Sequence, residues 1–437
     1  MKLKTKSGLV IGIFTILMIF GVFTLIIGPV NANSPTFIVS PSGGDDTANI
    51  QAAFDDAIAA GPGSTVQLTS GQFYTNAIFV EGFCGTFKGT SKSLTKIDVL
   101  KGLDDTLEGV VGPEGPYLFT FAGGDVYISD LIFDITPYMP AEPWEDPEYP
   151  SYDLVSIILL TGETNSWIEN VKYIGHEGTL VNPLGVGFNV RVGVEYHFGT
   201  GNHIITMCDF DSIWGAISAY GLMNVQMKIS SNSIKGGNFG VINMDNINSK
   251  FEIKYNDIET MFIYGIWVWQ AGIIVPPSLS QWKITHNTIR VSSSADGIGL
   301  MDYSSIKSLE VVVSHNKIVL DDTEWGGIWI EGLQDAFISN NIIRGTGAYG
   351  IGSAFPYNNM ILGNNVQDVV ASWAPIFLYG ASECVVVGGS TKTNVADIDG
   401  YNNIIVGCNN MQINSLGPEI KEAMELKREI IQSFPEF

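Results

Sequence analysis

One short pattern recurs through the middle of this chain and limits what the chain can fold into. It is an apolar residue, two variable residues, Asn, one residue, then an apolar residue. It appears as Ile229-Ser-Ser-Asn232-Ser-Ile234, Ile253-Lys-Tyr-Asn256-Asp-Ile258 and Ile284-Thr-His-Asn287-Thr-Ile289. It continues as Val313-Ser-His-Asn316-Lys-Ile318, Ile338-Ser-Asn-Asn341-Ile-Ile343 and Ile361-Leu-Gly-Asn364-Asn-Val366. Successive Asn residues are 24, 31, 29, 25 and 23 positions apart. Weaker copies precede the run at Asp130, Asn170 and Asp209, and fainter ones follow near Gly388 and Asn409.

A second pattern follows each copy: Gly, then Ile or Val, then alternation. Its instances are Gly240-Val241, Gly265-Ile266, Gly297-Ile298, Gly327-Ile328 and Gly350-Ile351, with Ala216-Ile217 and Pro375-Ile376 in the same place. Units this short leave no room for a helical crossover and carry no helical period. Each holds two or three β-branched strands that cannot bury their own apolar face, whereas stacked units bury a continuous one. The expected fold is an all-β solenoid in which every strand pairs in parallel with its copy about 4.8 Å above and below. The recurrent Asn then occupies one corner of every coil. There it tolerates left-handed backbone, and its amide can bond the Asn of the next coil.

The ends read differently. Lys2, Lys4 and Lys6 precede an uncharged run from Gly8 to Val30, and Val30-Asn31-Ala32 suits a signal peptidase. The run is also long enough to span a bilayer, so residues 1–32 are a signal peptide or an N-terminal membrane anchor, and either places the body outside the cytoplasm. The solenoid is expected over 36–412. Residues 415–437 form a C-terminal stretch in which Pro418 to Phe434 reads as an amphipathic helix with Ile420, Met424, Ile431 and Phe434 near one face. Acidic, Pro-rich residues 141–152, residues 182–202 and residues 271–281 read as long excursions from the coils.

At the start of the body, Asp45-Asp46-Thr-Ala-Asn-Ile50-Gln-Ala-Ala-Phe54-Asp-Asp-Ala57-Ile58 reads as a capped helix over about 46–60, ending at Gly61-Pro62. Strand Thr65-Val-Gln-Leu68, turn Ser70-Gly-Gln-Phe-Tyr74 and the segment Gly82 to Ile97 follow. Together with the repeats, these features resemble the pectin-lyase-like right-handed parallel β-helix superfamily. The resemblance implies right-handed coils, closed at the N-terminal end by the helix. It implies no single activity, since this superfamily hosts many chemistries. The polygalacturonase set is absent, with partial echoes at Asp321-Asp322 and Gly175-His-Glu-Gly178. The pectate lyase segment is only echoed at Trp167-Ile-Glu-Asn170.

The strands after the Gly step assign the candidate site. Ile266/Val268, Ile298/Leu300, Ile328/Ile330 and Ile376/Leu378 point inward. The outward positions hold Tyr220, Trp267, Trp269, Trp329 and Tyr379 among Asp245, Asp302 and Glu331. Aromatic plates beside carboxylates suit sugar rings, whose C–H faces stack while their hydroxyls donate. A loop folded over this sheet would bury the same rings. Asp302 and Glu331 fall at neighbouring positions of successive coils, a spacing open to glycoside hydrolysis, and Asp322 lies on the turn before Gly327. These acids could instead hold Ca²⁺. Tyr196-His197 is the place for a lyase base, and Arg191, Arg290 or Arg344 for a uronate clamp. His286 and His315 read as corner residues. Cys384 and Cys408 lie about one coil apart, which leaves either a bridge or free thiols.

The formal net charge of −23 repels phosphate backbones and excludes nucleic acid as a favoured partner. Two readings stay open: an exported lyase or hydrolase acting on polysaccharide, or a non-catalytic surface protein that binds glycan or builds the cell envelope.

Overall fold

The computed structural model describes residues 34–100, 117–136, 156–175, 177–182, 186–188, 192–270, 279–304, 309–388 and 393–411. The N-terminal segment, residues 141–152 and the expected C-terminal helix lie outside these, as do Arg191 and parts of the other two excursions. Among the described residues no helix is long and apolar enough to cross a membrane.

The repeats form stacked coils. Ile229 pairs with Ile253, then in turn with Ile284, Val313, Ile338 and Ile361, and every one of these pairings is parallel. Thirty of the described strands join in one continuous sheet wrapped around a single apolar core. All of the residues expected to point inward, from Ile266 and Val268 to Ile376 and Leu378, belong to that core.

The Asn ladder runs unbroken from Asn232 to Asn364. The Asn287 amide nitrogen donates to the Asn316 side-chain oxygen at 3.0 Å and to the Ile253 carbonyl at 3.0 Å. The same Asn316 oxygen accepts the Asn287 backbone N–H at 3.0 Å. Asn232, Asn256, Asn316 and Asn341 repeat this arrangement, so each buried amide joins three coils.

Two expectations about the corner need correction. Left-handed backbone falls one residue earlier, at Ser231, Tyr255, His286, His315 and Asn340, with φ between 55° and 59°. The reason is a division of labour: the left-handed residue turns the chain with its side chain in solvent, and the following Asn turns its amide into the stack. The weaker copies also sit off register. Leu131, Val171 and Cys208 occupy the ladder column in those coils, and the Cys208 N–H donates to Asn232 at 3.0 Å. His286 and His315 are corner residues as expected, stacked 5.1 Å apart.

The Gly column exists because neighbouring coils touch there. A Cβ on Gly265 or Gly297 would lie 2.6 Å from the carbonyl oxygen of the next Gly in the column, closer than atoms approach. Helix α1 (Thr47–Ala60) buries Ile50, Ala53, Phe54 and Ala57. Phe54 meets Phe83, Phe87 and Phe121 at 5.1–5.8 Å, which plugs the first coils. The Asp46 carboxylate does not cap the helix; it accepts N–H groups of Ser42 and Tyr74 at 2.7 and 3.1 Å. All four cysteines are free, so Cys384 and Cys408 are not bridged.

Candidate functional site

Trp267 and Trp329 leave the core as the alternation requires, yet each is only 1% exposed. They sit in a second apolar cluster on the outer face of the sheet, with Phe239, Tyr264, Met301, Tyr349 and Phe377. Trp267 lies nearly parallel to Phe239 at 5.4 Å and to Trp269 at 5.6 Å, and Trp329 packs on Tyr349 at 5.3 Å. Neither indole is open to a sugar ring. The sequence reading missed the residue just before each Gly, which also turns outward. The aromatic residues repeated there, Phe239, Tyr264 and Tyr349, were the available signal.

Asp296 occupies that same column and is fully buried. Its carboxylate accepts the Tyr349 hydroxyl at 2.6 Å and the Gly326 N–H at 2.8 Å. Burial, reinforced by this carboxylate, pushes the Tyr264 and Tyr349 phenols well above their ordinary pKa. Glu331 is buried beside them and accepts the Trp329 indole N–H at 3.1 Å. Asp302 lies one register step away, because Met301 pairs with Glu331. It turns to the following turn, where it accepts the N–H of Ser304 at 3.0 Å and the Ser304 hydroxyl.

The open part of this face is its edge, where the strands turn the corner. Tyr220, Trp269, Tyr379 and Asp245 are half-buried there. Beside them stand Phe198, 58% exposed, and Phe355, 51% exposed, which the sequence reading did not single out. Both phenylalanines take left-handed backbone, φ 46° and 51°, a conformation bulky side chains avoid. Both cover a glycine of the next coil: a Cβ on Gly221 would meet the Phe198 ring at 2.6 Å, and one on Gly380 the Phe355 ring at 2.7 Å. Each has a tyrosine edge-on at its side, Tyr220 at 5.2 Å and Tyr379 at 5.1 Å. The signal was an aromatic residue at a corner followed, one coil later, by Gly.

At the Phe198 corner, the outward strand positions carry Glu195 and His197, both buried. The His197 Nδ1 lies 3.9 Å from the Glu195 carboxylate, which also accepts the Ser156 hydroxyl. The ring stacks on Phe198 at 4.3 Å. Tyr196, by contrast, points into the core, where its hydroxyl meets Ser166, which in turn contacts His203. Tyr196 and His197 therefore stand on opposite faces of the strand and do not form a pair.

Asp322 is exposed on the turn that precedes strand Gly326–Glu331, and Glu331 stands at the opposite end of that strand, which is about 17 Å long. The structure does not bring it to Asp302. Arg290 and Arg344 stand on another strand set, in register with Val319 between them, and Arg290 faces Asp321 at 3.9 Å. No three His, Cys, Asp or Glu side chains among the described residues are grouped to hold a metal ion.

The fold has solved counterparts. The structure of the Streptococcus pneumoniae surface protein and adhesin PfbA superposes with a TM-score of 0.51 at 11% identity, covering 86% of this chain and 97% of that one. The Dettilon tailspike protein (gp208) superposes at 0.50 with 13% identity, covering 84% of this chain and 68% of that one. The chain has the right-handed parallel β-helix fold. Within this β-helix, residues 272–416 match the family described as periplasmic copper-binding protein (NosD), less than half of the chain. No curated protein matches the β-helix in sequence.

Proposed function

We propose that this β-helix works outside the cytoplasm and binds a polysaccharide along the edge that runs from Phe198 to Phe355. The observation that carries the reading is the pair of exposed phenylalanines held in left-handed backbone over the glycine of the next coil. The turn itself does not require a bulky ring at that corner, since Gly332 and Gly380 make it elsewhere with φ 67° and 57°. Backbone strain kept to display an apolar ring to solvent suits a ring-stacking ligand. Six coil steps separate the two corners, about 29 Å at the parallel-strand spacing. Tyr220, Trp269 and Tyr379 border this track, and the half-buried Asp245 supplies an acceptor for hydroxyl groups. Trp267 and Trp329 act beneath it as support.

The glycan we expect is neutral. The formal net charge is −23, and Arg290 and Arg344 lie off the edge, so a uronate carboxylate would meet acids there without those guanidinium partners. Nucleic acid is disfavoured for the same reason. Native electrophoresis through gels containing neutral polysaccharides or polygalacturonate tests the reading. Retardation by a neutral polymer, reduced in Phe355→Ala, is expected. Equal mobility of wild type and Phe355→Ala in every retarding gel would refute it.

A catalytic reading has one specific observation behind it, the Glu195–His197 contact beside Phe198. A carboxylate that orients an imidazole is a common acid–base arrangement. Release of reducing ends or unsaturated products, abolished in His197→Ala, would establish it. Asp302 and Glu331 remain the alternative acids for such a reaction.

Copper does not fit the donors described in the matched segment. His286 and His315 stack face to face with a 5° interplanar angle, so their nitrogens do not converge. The Met301 sulfur takes the Tyr303 hydroxyl at 3.8 Å, and the Cys384 sulfur is held against the Ser382 and Pro356 carbonyls at 3.4 and 3.7 Å.

A further inference from the structure

One outer face of the solenoid changes character along its axis. Lys228, Glu252 and Lys283 form an outward column that continues, coil by coil, as Val312, Phe337, Met360, Val385 and Ile404. Beside it, Lys254, Thr285, Ser314 and Ser339 give way to Leu362, Val387 and Val406. Met360, Val387, Ile404 and Val406 are 37–55% exposed. Outward strand positions are ordinarily polar, and a contiguous exposed apolar patch marks a surface that something covers.

We propose that the chain's own segment Pro418–Phe434 covers it, lying as an amphipathic helix along the last five coils. The lengths agree: seventeen helical residues span about 25 Å, and five rungs at the coil spacing span about 19 Å. The position agrees as well. The last described strand, Asn409–Met411, begins three residues after Val406, one corner from the patch. Residues 412–417 then reach about 20 Å at full extension, enough to return to it. The stripe Ile420, Met424, Ile431 and Phe434 supplies the apolar side, set against Met360, Val387, Ile404 and Val406. The polar side carries Glu419, Lys421, Glu422, Glu425 and Arg428 into solvent. The helix thereby keeps this face from associating with a second solenoid.

The test is photo-crosslinking of the full chain with p-benzoylphenylalanine placed at position 404, and separately at position 283 on the charged part of the same face. Position 404 should give an adduct within residues 418–434 of the same chain, at a yield independent of protein concentration. Position 283 should give none there. Ile431→Asp with Phe434→Asp should lower the position-404 adduct at least fivefold. An adduct between two chains that grows with concentration would overturn the proposal in favour of a second copy. So would an adduct confined to other segments, or no adduct at all.

Discussion

The indole N–H of Trp329 donates to the Glu331 carboxylate two residues along the same strand, at 3.1 Å. Both side chains therefore stand on the outer face, and both are buried. This pair shows that the β-helix has two apolar layers, one inside the coils and one outside the strands after the Gly step. Among the described residues of this face, the corner beyond the outer layer is the open part.

The outer layer should behave as core. Trp267→Ala removes a ring packed against Phe239, Tyr264 and Trp269 and should cost about 3–5 kcal/mol. Trp269→Ala, at a half-buried position, should cost clearly less. Urea unfolding of the two variants measures both, and equal losses would mean that the outer cluster is not a packed layer.

The ladder makes a second demand. Asn287→Leu removes the acceptor for two Asn256 donors and the donors to Ile253 and Asn316, all in buried surroundings. Each orphaned group costs about 1–3 kcal/mol, so the sum should exceed about 3 kcal/mol. Lys283→Ala, on the exposed face of the neighbouring strand, should stay within about 0.5 kcal/mol of wild type.

Gly297→Ala should be worse than its size suggests. The added methyl would lie 2.6 Å from the Gly327 carbonyl oxygen and 2.8 Å from the Ile318 side chain. Overpacking of this kind costs about 1–3 kcal/mol. A midpoint of thermal unfolding unchanged from wild type would show that the coils are spaced more loosely than the strand pairing implies.

Much of this was legible in the sequence, for a physical reason. A ladder Asn or a contact Gly is favoured where coils meet, so the repeat is visible in one chain. The inward positions followed directly from alternation after the Gly. What could not be read was where the outward rings end up. Trp267 and Trp329 face away from the core in either case, and only their neighbours Tyr264 and Tyr349 decide whether they are open. Those residues precede the Gly, where the period of two is broken by the corner. Phe198 and Phe355 were hidden for a similar reason: a left-handed phenylalanine contradicts local propensity, so no propensity argument finds it. The register slip at Asp130, Asn170 and Asp209 came from expecting a polar ladder where Leu131, Val171 and Cys208 continue it with apolar side chains and a thiol.

His203 sets a pH dependence. Burial lowers its pKa from 6.5 to about 3, with Ser166 its hydrogen-bond partner. The unfolded chain therefore binds a proton that the folded chain refuses. Its contribution to stability is complete above pH 6.5 and is lost as the pH falls from there toward about 3. The loss approaches about 1.4 kcal/mol per pH unit inside that window. His203→Gln should remove this part of the slope between pH 6 and about 4. Parallel stability curves for wild type and variant would show that His203 protonates equally in both states.

The most direct test of the glycan edge is the dissociation constant of a neutral polysaccharide that retards the wild type, measured for Phe198→Ala, Phe355→Ala and the pair together. Each single change should weaken binding about tenfold, a loss of about 1.4 kcal/mol, and the double variant should lose more than either. Dissociation constants equal to wild type in all three variants would contradict the account.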